Sequence, residues 1–83
     1  MQPEQIQDLL VKQLHGCEVR VSGADRHFDI VVVGEVFDGL RPVKRQQLVY
    51  AVLADHIADG SIHAVNIRTF TSAERAAHQG PMQ

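Results

Sequence analysis

Apolar positions return with two different periods along this chain, and the switches between them mark its elements. From Pro3 to His15, Ile6, Leu10 and Leu14 recur every four residues with Leu9 and Val11 beside them, one face of a helix. Pro3 suits a first helical turn, Glu4 and Asp8 lie near the positive end of the helix dipole, and Gly16 is a natural stop. Cys17 to Ser22 alternates with a period of two, placing Cys17, Val19 and Val21 on one face of a strand. Gly23-Ala24-Asp25-Arg26 predicts a tight reversal into a second strand, His27 to Val33, with Phe28, Ile30 and Val32 together, so the pair forms a β-hairpin. Val31 and Val33 imply that the opposite face is partly covered too.

Gly34, Gly39 and Pro42 then punctuate a loop or one short helical turn. Pro42 fits the opening of the longest helix, Val43 to about Asp59, and Gly60 its end. Val49, Val52, Leu53 and Ile57 form its buried stripe, and Lys44, Gln47, Asp55 and Ala58 lie opposite. Arg45 and His56 fall inside the apolar sector near the two ends. A third strand runs from about Ile62 to Phe70, with His63, Val65, Ile67 and Thr69 on one face and Ala64, Asn66, Arg68 and Phe70 on the other. Thr71-Ser72-Ala73-Glu74 has the capping-box pattern and opens a short last helix through about Gln79; residues 80–83 are expected to be a disordered tail. The order α-β-β-(short α)-α-β-α predicts one α+β (mixed α/β) domain over residues 1–79, with helices packed on one face of a three-stranded mixed sheet. A right-handed crossover through the long helix would join the second and third strands if these lie parallel.

At 83 residues, such a domain buries only ~60% of its unfolded surface. Trp is absent and aromatics are 5%, so the core rests on Val, Leu, Ile and Ala. No apolar run approaches the ~20 residues of a membrane span, and the first residues lack the basic-then-apolar pattern of a secretory signal, so a cytoplasmic location is expected. The single cysteine, Cys17, excludes an internal disulfide and fits a reducing compartment. A net charge of −2 gives no global attraction to polyanions.

The chain holds no Gly-x-Ser-x-Gly, Walker loop, dinucleotide glycine fingerprint or Cys-x-x-Cys. Cys17 lies on the apolar face of a strand, where a thiol packs as a small hydrophobe, so the expected role is binding and not catalysis. Histidine is the unusual feature, at 15, 27, 56, 63 and 78, never spaced for a self-contained site on one helix. His15, His56 and His78 sit near predicted helix C-termini, where an imidazolium meets the negative dipole end. His63, at a strand start beside the end of the long helix, reads either as a ligand facing a partner or as a strand-end histidine bonded to nearby backbone.

Gly34-Glu35-Val36-Phe37-Asp38-Gly39, then Val43-Lys44-Arg45-Gln46-Gln47-Leu48-Val49-Tyr50, then Ile62-His63-Ala64-Val65 and Thr69-Phe70-Thr71 form an ordered set. This succession resembles the BolA family, and most closely its IbaG-like subgroup, over nearly the whole chain. The resemblance implies a class II KH-like fold and an adaptor that binds a monothiol glutaredoxin, with glutathione, and shares ligation of a [2Fe–2S] cluster in iron–sulfur trafficking and stress response. His63 matches the family's C-terminal histidine, a cluster ligand. The family's second ligand, a His or Cys, comes from the loop between the first two strands, where the only candidate is His27 at the loop's exit, which reads equally as an ordinary strand-start histidine. Such a cluster needs four ligands, so the isolated monomer is expected to carry none. Arg68 and Phe70, on the exposed face of the third strand, are candidate partner contacts.

An alternative reading is a DNA-binding transcriptional regulator using Arg41, Lys44 and Arg45, which with the preceding short turn imitate a helix-turn-helix. Glu35 and Asp38 nearby would balance that patch. The family's frequent Arg-His pair is here Arg45-Gln46, and the Gly-x-x-Gly loop of nucleic-acid-binding KH domains is missing.

Overall fold

A computed structural model describes residues 1–78 of the chain. Its elements are α1 (Pro3–Gln13), β1 (Glu18–Ala24), β2 (His27–Val33), a 3-10 turn (Glu35–Phe37), α2 (Pro42–Ala58), β3 (Ala64–Phe70) and α3 (Ser72–His78). This is the α-β-β-α-α-β-α order that both the hydrophobic pattern and the KH-like resemblance predict. The expected tail lies outside the described residues. Strand order is β1-β2-β3, with β2 antiparallel to β1 and parallel to β3, so α2 is the crossover that a parallel pair requires.

The core forms where α1 and α2 cover one face of this sheet. Ile6, Leu10 and Leu14 of the first helical segment and Val49 and Leu53 of α2 close over Val19, Phe28, Ile30, Val32 and Ile67. Phe37, at 0% exposure, is the largest fully buried side chain, and it comes from the 3-10 turn. A chain without tryptophan thus fills its centre with an aromatic ring from a connector. Val52 and Ile57, assigned to the buried stripe, are half-buried and pack on the edge of this cluster.

Three boundaries differ from those predicted, each for a local reason. Helix α1 stops at Gln13, because Leu14 leaves helical backbone, at φ −112° and ψ 75°, although its N–H still donates to the Leu10 carbonyl at 2.8 Å. Strand β1 starts at Glu18 and runs on through Ala24, because the reversal consists of Asp25 and Arg26 alone, both in left-handed backbone with φ of 54° and 67°. Two positive φ values give the hairpin turn whose twist matches that of the strands. Strand β3 begins at Ala64 and not at Ile62, because the Ile62 N–H is taken by the His56 carbonyl at 3.0 Å. Ile62 plugs the core at 1% exposure, leaving His63 as the last residue before the strand.

The capping box at Thr71 forms as predicted: the Glu74 N–H donates to Thr71 Oγ1 at 3.2 Å and the Thr71 N–H donates to Glu74 Oε1 at 2.9 Å. Glu74 also accepts two bonds from the Arg45 guanidinium, at 2.6 and 3.1 Å, which ties α3 to α2. Arg75 of the same helix reaches the face of the sheet away from α1 and α2. There it lines a hollow of about 180 Å³ with Glu18, Arg20, Val31 and Val33. That contact accounts for the partial cover of Val31 and Val33.

Phe37→Ala should destabilise the fold by roughly 3–5 kcal/mol, the usual cost of emptying a buried aromatic site, whereas the exposed Val43→Ala should stay within ~0.5 kcal/mol; urea unfolding measures both. Glu74 yields an acid-range signature. Its carboxyl is held below the ordinary glutamate range, chiefly by the Arg45 side chain and next by the Thr71 N–H. A depressed value means that the stabilisation is complete above the unfolded value, ~4.3, and is lost as the pH falls through and below it. Glu74→Gln should therefore flatten the acid limb of a plot of urea midpoint against pH; an unchanged limb would show that the pair contributes nothing.

Candidate metal-binding site

The parallel register of β2 and β3 places His27 opposite Ala64, one residue after His63. Both histidines thereby reach the same corner of the sheet, beside the hairpin turn. Their rings lie 5.4 Å apart between centroids, tilted by 51°, and both side chains are exposed. Neither is sealed in the core, which the ligand reading of His63 requires.

Backbone chemistry sets this corner. The Arg26 carbonyl accepts the N–H of His63 at 2.7 Å and that of Ala64 at 3.0 Å, so the hairpin turn holds the start of β3 directly. Gly23 packs against the turn's exit with φ of 125°, and a β carbon there would collide with the His27 carbonyl. On the helix side, Gly60 takes φ of 84° and the Ser61 N–H donates to Asp59 Oδ1 at 2.8 Å. The backbone and side-chain groups of Ser61 keep the Asp59 carboxyl below its ordinary range. The His63 ring is thus carried between two fixed points, the Ile62 plug and the Arg26 carbonyl.

The backbone-bonded and ligand readings of His63 turn out to be compatible, because the main chain makes the bond and the ring stays outside. Among the described residues no cluster of three or more His, Cys, Asp or Glu side chains is placed to hold a metal ion. The corner therefore offers two imidazoles and no more. As donors they fit half of the four positions that a [2Fe–2S] cluster needs, and an imidazole pair is a known replacement for two thiolates on one iron.

The remaining candidates lie elsewhere. Cys17 is next to the Glu18–Val33 end of the hairpin, six residue steps along β2 from His27, or about 20 Å. Its sulfur packs against Gly34, where a β carbon would collide with it, and burial pushes the thiol's pKa up, so it is an unreactive packing group. Arg41 and Lys44 are exposed, but Arg45 is not the free cation that a phosphate contact needs. Its guanidinium holds Glu74 and also donates to the Leu40 carbonyl at 2.9 Å. Arg68 stands exposed on β3, whereas Phe70 is half-buried with the Arg75 guanidinium 5.5 Å from its ring centre. The third-strand face is therefore less open at Phe70 than the alternation predicts, because α3 folds back over it. What sequence reading missed is the nearness of the two histidines: 36 positions apart, they meet only through strand register.

A family model described as "BolA-like protein" matches residues 5–74. The chain is 49% identical over 76 residues to the acid stress protein IbaG of Escherichia coli strain K12, spanning 92% of this chain and 90% of that one. It is 41% identical over 73 residues to the DNA-binding transcriptional regulator BolA of Vibrio cholerae, covering 88% of this chain and 65% of that protein. The solved structure of a BolA homologue from Coxiella burnetii superposes with a TM-score of 0.81 at 28% identity, covering 92% and 97% of the two chains.

Arg26 holds a left-handed conformation that costs an L-residue roughly 1–2 kcal/mol and glycine nothing. After glycine's own unfolded-state entropy is deducted, Arg26→Gly should raise stability by about 0.5 kcal/mol. The His63 amide should stay protected from hydrogen exchange in that variant, since only the carbonyl of residue 26 is used. A loss of protection would mean that the arginine side chain, and not the turn, positions His63.

Proposed function

The chain belongs to the BolA family, and from that premise we propose that it is an adaptor: it docks on a monothiol glutaredoxin and completes the ligation of a [2Fe–2S] cluster carried between them. The observation that supports this most directly is the exposed, two-membered donor set. His63 is the metal ligand, and His27 the second, with thiolates of the glutaredoxin and glutathione filling the other positions. A cluster so held is the cargo of the pair, with imidazole ligation tuning its redox behaviour. This chain's own part is binding and orientation. The Arg26 carbonyl and the Ile62 plug fix the His63 main chain, so little freedom is lost when a partner closes over the ring. The edge between the C-terminal end of α2 and the start of β3 is the docking edge, and Arg68, exposed on the face of β3 away from the helices, is a further candidate contact.

A second reading, regulation through DNA, is favoured by the Vibrio relative's description and by Arg41 and Lys44, which stand exposed at the N-terminus of α2. So few cations support weak, salt-sensitive binding. Specific retention of duplex DNA at physiological salt, lost on Arg41→Ala and Lys44→Ala, would establish it.

For the adaptor, the protein is mixed with a monothiol glutaredoxin, iron, sulfide and glutathione, and the visible spectrum of the cluster is recorded. Wild type should shift it relative to glutaredoxin alone, His63→Ala should abolish the shift, and His27→Ala should reduce or alter it. A wild-type spectrum indistinguishable from that of glutaredoxin alone would remove the adaptor reading.

A further inference from the structure

The spacing of the two imidazoles specifies more than a pair of loose donors. Two rings bound to one zinc-like ion each place a nitrogen ~2.0–2.1 Å from the metal, and the ring centre lies about 1.1 Å beyond that nitrogen. Two such centres at a tetrahedral angle stand roughly 5.2 Å apart. The observed separation is 5.4 Å. A tilted ring pair at that distance also falls in the range of ordinary aromatic packing, but here both rings are exposed and open to an ion from solvent. The outer torsion of histidine is broad and soft, so a nitrogen from each ring can be turned to a common point at little cost.

The geometry points to a second metal-binding activity, independent of any glutaredoxin: His27 and His63 together chelate one divalent ion of the zinc class, and the same two residues of a second copy of this chain complete its tetrahedron. Zinc takes four ligands and is well served by neutral imidazole. One chain supplies two, and no third His, Cys, Asp or Glu among the described residues joins them. A twofold axis through the ion would give four equivalent nitrogens, and twofold pairing is the commonest way for identical chains to associate. The turn beside the rings carries Asp25 and Arg26, of opposite charge, and Asp29 lines the same hollow as His27, so the bound cation offsets a small net negative charge on each copy.

This inference uses the same rings as the adaptor reading but not its partner. Metal-stripped full-length protein is titrated with zinc chloride by calorimetry, while light scattering follows the mass from the 9.2 kDa monomer. The expected result is one ion per two chains with a doubling of mass, reversed by a chelator. His27→Ala and His63→Ala should each lose the dimer with their circular dichroism intact, and His15→Ala should keep it. No zinc binding, one ion per chain without a change in mass, a dimer that survives chelation, or a dimer retained in either single variant would each overturn the inference. Wild type that dimerises on zinc yet leaves a glutaredoxin cluster's spectrum unchanged would keep this site and remove the adaptor reading; the opposite pair of results would do the reverse.

Discussion

One carbonyl oxygen organises the histidine corner of this molecule. Arg26 turns the hairpin in strained left-handed backbone, and its carbonyl then receives the two N–H groups that open β3. Without that acceptor the exposed His63 and Ala64 donors would turn to water, and nothing would tie the start of β3 to the hairpin. With it, the residue preceding the strand is held as firmly as the strand itself, although its side chain lies in solvent. Ile62 performs the matching task from inside, as a fully buried anchor one residue earlier. The ring at position 63 is therefore rigid in its attachment and open in its surroundings, the combination that a ligand awaiting a partner needs.

The fold was legible because its signals are local. The i, i+4 apolar series of the first helix, the alternation of Phe28, Ile30 and Val32, and the reciprocal Thr71–Glu74 cap each depend on a few neighbouring residues, and each is found in place. Boundaries were less legible where a tertiary bond decided them. Ile62 reads as the first residue of a strand, but its N–H belongs to the end of α2. Phe37 reads as loop, and only the packing of two helices over the sheet makes it the centre of the core.

The site was half legible for the same reason. His63 was identifiable by resemblance, yet nothing in the spacing of His27 and His63 marks them as neighbours; the parallel pairing of β2 with β3 creates the contact. Arg45 is the converse case. Its sequence context groups it with Arg41 and Lys44, whereas the folded chain commits it to Glu74 and to the Leu40 carbonyl, drawing α3 against the long helix. A basic residue grouped with a surface patch is here a brace between helices, in keeping with its place in the apolar sector of α2. The bond to Glu74, with Asp38 adding to it, holds the guanidinium in its charged form against the cost of partial burial.

The two-residue hairpin tip has an evolutionary corollary. Loops between strands are where homologous chains gain and lose residues most freely, but this one has a bond to keep. Residues added before Arg26 lengthen the tip outward and leave its carbonyl beside β3. Residues added between Arg26 and His27 would carry that oxygen away, but the residue then preceding His27 would present its own carbonyl to the start of β3. What growth of the loop must preserve is therefore a carbonyl immediately before β2, whatever side chain accompanies it.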